Sequence, residues 1–365
     1  METKRNSAHD PGLEKIVAAE TILSDVDGQN GRLIIRGLDV ADLVQRCSYE
    51  GAASLLWSGL FGEATDDFGP RLGAARVRAF ARLERFLPHL ASLGETEGLR
   101  AALALSPDGH DLDAAIDLVA TTAVATAAIA RIRGGDTAVA PDAAFGLAQD
   151  LLRMMRGGKD APPDAFAIEA YMVATSDHGL NASTFVARAV ASTRAGLGSA
   201  VIAGLSALKG PLHGGAPGPA LDMLDAIGAP ENAEAWIRGA LDRGERLMGF
   251  GHRVYRTRDP RADVLKRVLT QLPASAGRLA LASAIETKIL TRLAIEKPER
   301  KLDTNVEFYT ALLLEAVGAP RDSFTSLFAC GRILGWIAHA REQLSTGRLV
   351  RPASVYVGPR PRAAA

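Results

Sequence analysis

Three histidines sit in sequence contexts suited to chemistry. His213 lies among glycines in Lys209-Gly210-Pro211-Leu212-His213-Gly214-Gly215-Ala216, at the end of a long apolar stretch. His252 lies in Gly249-Phe250-Gly251-His252-Arg253, with the arginine-rich run Arg256 to Arg261 behind it. Glycine lets the backbone approach a ligand closely, and imidazole donates or accepts a hydrogen bond and is readily tuned near neutral pH. His178 occupies a polar break, Thr175 to Thr184, between two apolar segments. Helix capping by Ser183 or Asn181 would also account for that break. Glycine-lined imidazoles trailed by Arg256, Arg258 and Arg261 point to a site that polarises carbonyls on an anionic substrate. The chain reads as an enzyme.

The remaining charged candidates each have two readings. Arg261 follows Asp259-Pro260, and Arg332 lies on an otherwise apolar helix, Phe328 to Gly335. A guanidinium in such a place needs an anionic partner, which is either an internal carboxylate or an incoming dicarboxylate. Glu307 falls in the first turn of a helix for which Asp303 or Thr304 would be the cap. There it could serve the helix dipole. Among Val306, Phe308 and leucines it could equally carry a raised pKa and act as a general base. His9, His89, His110 and His339 have bland explanations in the polar N-terminus, in turns or on a helix face. No HxxxH, HxH or HExxH spacing exists, so a preformed metal site is not expected. No GxSxG elbow and no phosphate-cradling glycine loop in a β-α context is found either.

The elements that must position these groups are helices. Apolar residues recur at three- and four-residue spacing over 40–47, 50–58, 72–86, 112–133, 143–156, 165–175, 183–208, 219–227, 231–247, 262–271, 276–296, 305–317 and 323–346. Short β-like runs occur only at 31–37 and 354–357. The Ala-rich segments 112–133 and 185–208 carry small residues on several faces, as helices at the centre of a large helical domain do. Segments 134–142 and 157–164 read as loops, and the last dozen residues as an extended arm. A length of 365 residues suits about two domains. Formal net charge is zero and aromatics are 5%, which argues against nucleic acid or an anionic membrane as partner. No apolar run of about 20 residues lacks a charge. Cys47 and Cys330 are isolated in apolar segments, as buried free thiols of a reducing, cytoplasmic compartment would be.

Taken in order, the motifs resemble the citrate synthase family over nearly the whole chain. They are Asp27-Gly28 through Gly31-Arg32-Leu33-Ile34-Ile35-Arg36-Gly37, Ser176 to Thr184, Gly210 to Ala216, Gly249 to Tyr255 with Asp259-Pro260-Arg261, Asn305 to Tyr309, Gly331-Arg332, and Arg351-Pro352. The resemblance implies an all-α, two-domain fold. Residues 1–215 and 326–365 would form the large domain, and 216–325 a small domain that closes over the substrates. It implies an acyltransferase that condenses acetyl-CoA with oxaloacetate and hydrolyses citryl-CoA. No cofactor is implied beyond the coenzyme A thioester, which is a substrate. Glu307 would take the methyl proton, His213 would stabilise the thioester oxyanion, and His252 would polarise the ketone. His178, Arg261, Arg332 and Arg351 would hold oxaloacetate, with Arg351 contributed by the second chain of a homodimer. Arg256 would meet a CoA phosphate. The family pattern has aspartate where this chain has Glu307, although some relatives carry Asn-Val-Glu-Phe. The extra methylene moves the carboxylate by roughly 1.5 Å. Asp303 is the substitute base to weigh against it. Competing readings are a 2-methylcitrate synthase using propionyl-CoA, a non-catalytic dicarboxylate- or CoA-binding paralogue, and a CoA-thioester hydrolase.

Overall fold

A computed structural model describes residues 10, 12–13, 16–62, 67–214, 217–299 and 301–359. His9, Gly215, Ala216 and the last six residues of the C-terminal arm lie outside the described residues. The architecture is helical, as expected, with one small antiparallel sheet among the described residues. Its strands are β1 (Ser24–Asp27), β2 (Arg32–Ile35) and β3 (Leu38–Asp39). Register pairs Asp27 with Arg32 across a turn whose amides bond Asp27 Oδ1, from Gln29 at 3.1 Å and from Asn30 at 3.0 Å.

The helix Leu112–Arg133 is the axis of the larger part. Asp111 caps it through Ala114 N at 2.8 Å. Its residues from Leu118 to Ala130 are all buried, which small side chains on every face permit. Helices Phe68–Leu83, Leu87–Ser92, Glu95–Ala104, Leu147–Arg156 and Phe324–Thr346 surround it. By length and composition it could cross a bilayer, but 83% of its apolar window is buried in protein. Its interior charge, Asp117, is held by Arg82 at 3.0 and 2.8 Å. The helices Pro217–Ile227, Ala233–Asp242, Pro260–Leu269, Ala276–Glu296 and Val306–Ala316 pack largely on one another. Pro260–Leu269 and Val306–Ala316 also lie against Ala165–Ala174, at the end of which His178 sits.

Three expectations about elements change. The single helix read at 183–208 is two, Ala182–Ala191 and Leu197–Leu208. Arg194 (φ 63°) and Gly196 (φ 96°) turn the chain there. Asp108 then bonds Gly198 N at 2.8 Å and Ser199 Oγ at 2.7 Å, satisfying the new helix start. The helices Leu87–Ser92 and Glu95–Ala104 were not anticipated. Residues 354–357 form no strand, because no neighbouring segment offers a ladder, and Val355, Tyr356 and Val357 are exposed. Cys330 is buried as expected, whereas Cys47 is half-buried; both are free.

Candidate active site

Close helix crossing builds the floor. A Cβ on Gly331 would collide with Thr175 Oγ1, and one on Gly335 would lie 2.5 Å from Ser176 O and Asp177 Oδ1. Without side chains at those two positions, Phe324–Thr346 lies directly on the Thr175–His178 segment. Gly335 N then bonds Ser176 O at 3.0 Å, and Arg332 Nε bonds Thr175 O at 2.7 Å. The Arg332 guanidinium is buried, sits 4.9 Å from the Phe328 ring centroid, and has no carboxylate partner among the described residues. Burial and the nearby Arg261 push its pKa down to about 10. Of its two readings, the internal ion pair is the one the geometry lacks.

Arg261 differs. Asp259 caps the helix Pro260–Leu269 through Arg261 N at 3.0 Å and also grips the same residue's guanidinium at 3.0 and 2.7 Å. It is therefore buried, internally paired and pre-oriented.

His252 comes from a turn in which Gly249 and Gly251 have φ of 86° and 81°. Its Nδ1 accepts from Val254 N at 3.0 Å and Tyr255 N at 3.1 Å. With Nδ1 so occupied, the neutral ring carries its proton on Nε2 and is a donor there. Burial first, then Arg261, lowers its pKa to about 4. Behind the loop, Arg256 N bonds Gly28 O at 2.8 Å, so the β1–β2 turn braces it. His178 is buried with Nε2 3.1 Å from Tyr255 Oη, and its ring lies 5.5 Å from that of His252. Desolvation, then Arg261, His252, Arg332 and His213, hold it well below the ordinary histidine range.

His213 Nε2 lies 2.9 Å from Ser183 Oγ. That oxygen accepts the Trp336 indole N–H at 3.0 Å and is 2.8 Å from Asn181 Oδ1. A hydroxyl has one proton. Given to Asn181, it leaves His213 protonated on Nε2; given to His213, it leaves the proton on Nδ1. Asn181, not Ser183, caps the helix Ala182–Ala191, through Thr184 N at 3.1 Å. Burial, then Arg332 and Arg261, lowers the His213 pKa to about 4.

Glu307 is half-buried at the start of Val306–Ala316, where Asn305, rather than Asp303 or Thr304, is the cap. Its amide bonds Asn305 Oδ1 at 3.0 Å, and its carboxylate has no hydrogen-bond partner among the described residues. Burial raises its pKa to about 7, Arg261 and Arg332 acting against that and Asp259 with it. Asp303 is otherwise engaged, accepting from Thr304 N at 2.7 Å and lying 3.8 Å from Arg258.

The structure thus brings His178, His213, His252, Arg261, Arg332 and Glu307 into one electrostatic neighbourhood. Arg256 is exposed, with no side-chain partner among the described residues. Arg351 is exposed on the extended C-terminal segment and bonds none of these groups. His178, His252 and Asp259 also bring ligand atoms within 4.8 Å of one another. A metal ion there would compete with Arg261 for Asp259, both of whose oxygens hold that guanidinium. Sequence assigned no role to Tyr255, the last residue of the Gly249 to Tyr255 motif, and did not show the full extent of His339. His339 is not merely packed: Nε2 is 3.3 Å from Asp177 and Nδ1 3.0 Å from Arg188, in a buried chain that continues to Glu342. Ser24 bonds Asp177 from the β1 side, so this chain anchors the segment carrying His178.

A mainly helical protein that gathers three neutral imidazoles, two buried guanidiniums and an unpaired acid has the groups an anionic carbonyl substrate calls for. A family model for the C-terminal domain of citrate synthase matches residues 12–353. A protein of Mycobacterium tuberculosis named putative citrate synthase 2 is 38% identical over 363 residues, 96% of this chain and 94% of that one. A 2-methylcitrate synthase of the same species is 37% identical over 95% of this chain and 90% of its own. The citrate synthase of Thermoplasma acidophilum, solved as a ternary complex with carboxymethyl coenzyme A and oxaloacetate, superposes with a TM-score of 0.85 at 27% identity, covering 97% of each chain. This chain belongs to the citrate synthase family, acyltransferases that condense acetyl-CoA with oxaloacetate.

Proposed function

We propose that the chain condenses acetyl-CoA with oxaloacetate and hydrolyses citryl-CoA to citrate and CoA, with Glu307 as the base. The observation that carries this is the excess of buried positive charge beside an unpaired acid: Arg332 has no carboxylate, and Glu307 no donor, among the described residues. Oxaloacetate supplies two carboxylates, which Arg332, the Asp259-oriented Arg261, and Arg351 of a second chain would grip, with His178 beside them. His252 donates from Nε2 to the ketone oxygen. The ionised Glu307 carboxylate takes a proton from the thioester methyl. His213 donates to the developing enolate oxygen from Nδ1, which requires Ser183 to turn its proton onto Nε2. The enol carbon then attacks the polarised ketone, and water releases CoA from the citryl thioester. Arg256, exposed on the same loop as His252, is assigned to a CoA phosphate.

The remaining assignments are part of the same proposal. Residues 216–325 act as the closing domain against 1–215 and 326–365. A homodimer is favoured by exposed apolar side chains on both terminal segments, Val17 and Ile22 on one and Val355 and Val357 on the other. Two free thiols suit a cytoplasmic setting.

The experiment is CoA release followed with a thiol reagent. Release that needs both substrates supports condensation. Release without oxaloacetate would mean a hydrolase, and none at all a binding protein. Comparing kcat/KM for acetyl-CoA and propionyl-CoA distinguishes the 2-methylcitrate reading, the activity named for a relative of nearly equal identity. One methylene in an apolar pocket is worth about 1–3 kcal/mol.

A further inference from the structure

Tyr171 is a buried polar group beside the site for which the steps above have no use. It stands on the helix Ala165–Ala174, wholly buried, and its hydroxyl has no hydrogen-bond partner among the described residues. A buried donor left unpaired is costly, and such groups in folded proteins call for an explanation. Two elements that bear site residues pack on this helix: Val306–Ala316, whose first turn carries Glu307, and Phe324–Thr346, which carries Arg332. The Tyr171 and Phe328 rings are 6.5 Å apart, and Arg332 covers the same Phe328 ring.

The groups that act on the phenol are Glu307, Arg332, Cys330 and Arg261. Guanidiniums have no acceptor atom. Cys330 Sγ is turned to Thr126 Oγ1 at 3.6 Å. The Glu307 carboxylate alone offers free lone pairs. Arg261, Asp259 and Arg332 also act electrostatically on the Glu307 carboxylate. A donor without an acceptor and an acceptor without a donor therefore stand on packed elements of one cleft.

We propose that Tyr171 is a positioning residue whose hydroxyl donates a hydrogen bond to the ionised Glu307 carboxylate and holds it toward the substrate methyl group. The proposal rests on the reading of Glu307 as the base. The extra methylene of glutamate provides both the reach to the phenol and the need for it, since a longer side chain has one more rotor to fix. Burial keeps the phenol protonated, so it remains a donor across the working range. Donation to the charged form favours that form, and the bond lowers the pH at which the base becomes available.

Tyr171→Phe keeps the ring and removes only the hydroxyl. The expected result is that the acid limb of kcat moves up by about one pH unit, with KM for oxaloacetate within about twofold. In a Glu307→Asp background, where the carboxylate is drawn back, the same substitution leaves the limb in place. An unmoved limb in the Tyr171→Phe single variant overturns the proposal. So does a tenfold rise in KM for oxaloacetate without a limb shift, which would assign the phenol to a substrate carboxylate. If Tyr171→Phe does not fold, the wild-type structure with oxaloacetate and a CoA thioether decides. A phenol oxygen within about 3.2 Å of the Glu307 carboxylate supports the pairing, and a longer separation ends it. Glu307→Gln separates the two levels of argument: normal turnover there refutes the base assignment itself. Loss of turnover there with an unmoved limb in Tyr171→Phe refutes the pairing alone.

Discussion

Two clusters of buried arginines in this molecule have the same ingredients and opposite states. In the larger helical part, Arg76 and Arg153 both grip Asp150, at 2.9 and 2.7 Å. Their remaining donors reach the carbonyls of Asp142, Phe145, Ala140 and Gly158. In the cleft, Arg332 makes one backbone bond, Glu307 has no partner among the described residues, and the Tyr171 hydroxyl none either. Arg332 and Tyr171 are as buried as Arg76 and Asp150; saturation is what differs. The first cluster is complete within the chain and can only hold the fold together. The second leaves Arg332 without a carboxylate and Glu307 without a donor among the described residues, and that incompleteness is what singles out the site.

Substitution should separate the two clusters. The largest effect expected is on Glu307→Gln, with kcat down by about a thousandfold or more, the range of general base catalysis. Oxaloacetate binding measured by calorimetry stays, and Asp303→Asn, whose carboxylate serves Arg258 and Thr304, keeps most activity. Next, Arg332→Met raises KM for oxaloacetate by about a hundredfold without lowering Tm, because no carboxylate is left stranded. Asp150→Asn does the reverse: it costs about 3–5 kcal/mol of stability by denaturant unfolding and leaves KM alone. A drop in Tm for Arg332→Met with an unchanged KM would erase the distinction between the clusters.

Smaller effects follow from protonation. Burial holds Glu307 protonated up to about pH 7, and a base must be ionised, so kcat/KM rises through about pH 7. His213 and His252, both lowered to about 4, add no limb between pH 5 and 9. The sign for stability runs the other way for the acid. Its raised pKa means that folding is weakened as pH climbs from the ordinary carboxylate range through about 7. Glu307→Gln, always neutral, escapes this and should be more stable than the parent by roughly 1–3 kcal/mol at pH 8, with no difference near pH 5. Equal stability at both pH values would mean that the carboxylate is already solvated.

How much of this was legible in the sequence differs between kinds of residue. Short-range devices read well: the glycines around His252 and the long apolar helices act within a few residues of themselves. The helix break at Arg194–Gly196 did not, because its cap, Asp108, comes from far along the chain. The choice between internal and external partners for Arg261 and Arg332 was likewise closed to sequence, since it depends on which carboxylate shares the space. Arg261 takes Asp259, two residues away; Arg332 lies instead on a carbonyl more than 150 positions earlier. Tyr171 went unread for the same reason. A tyrosine in an apolar helix has the pattern of a core residue, and only its missing or distant partner gives it away.

The claim that Glu307 removes the methyl proton is tested most directly by isotope exchange in deuterium oxide. Acetyl-CoA is incubated with the enzyme and malate, a dicarboxylate that lacks the ketone needed for condensation. Deuterium should enter the methyl group with the parent enzyme and stay out with Glu307→Gln. Exchange at the parental rate in that variant would contradict the account.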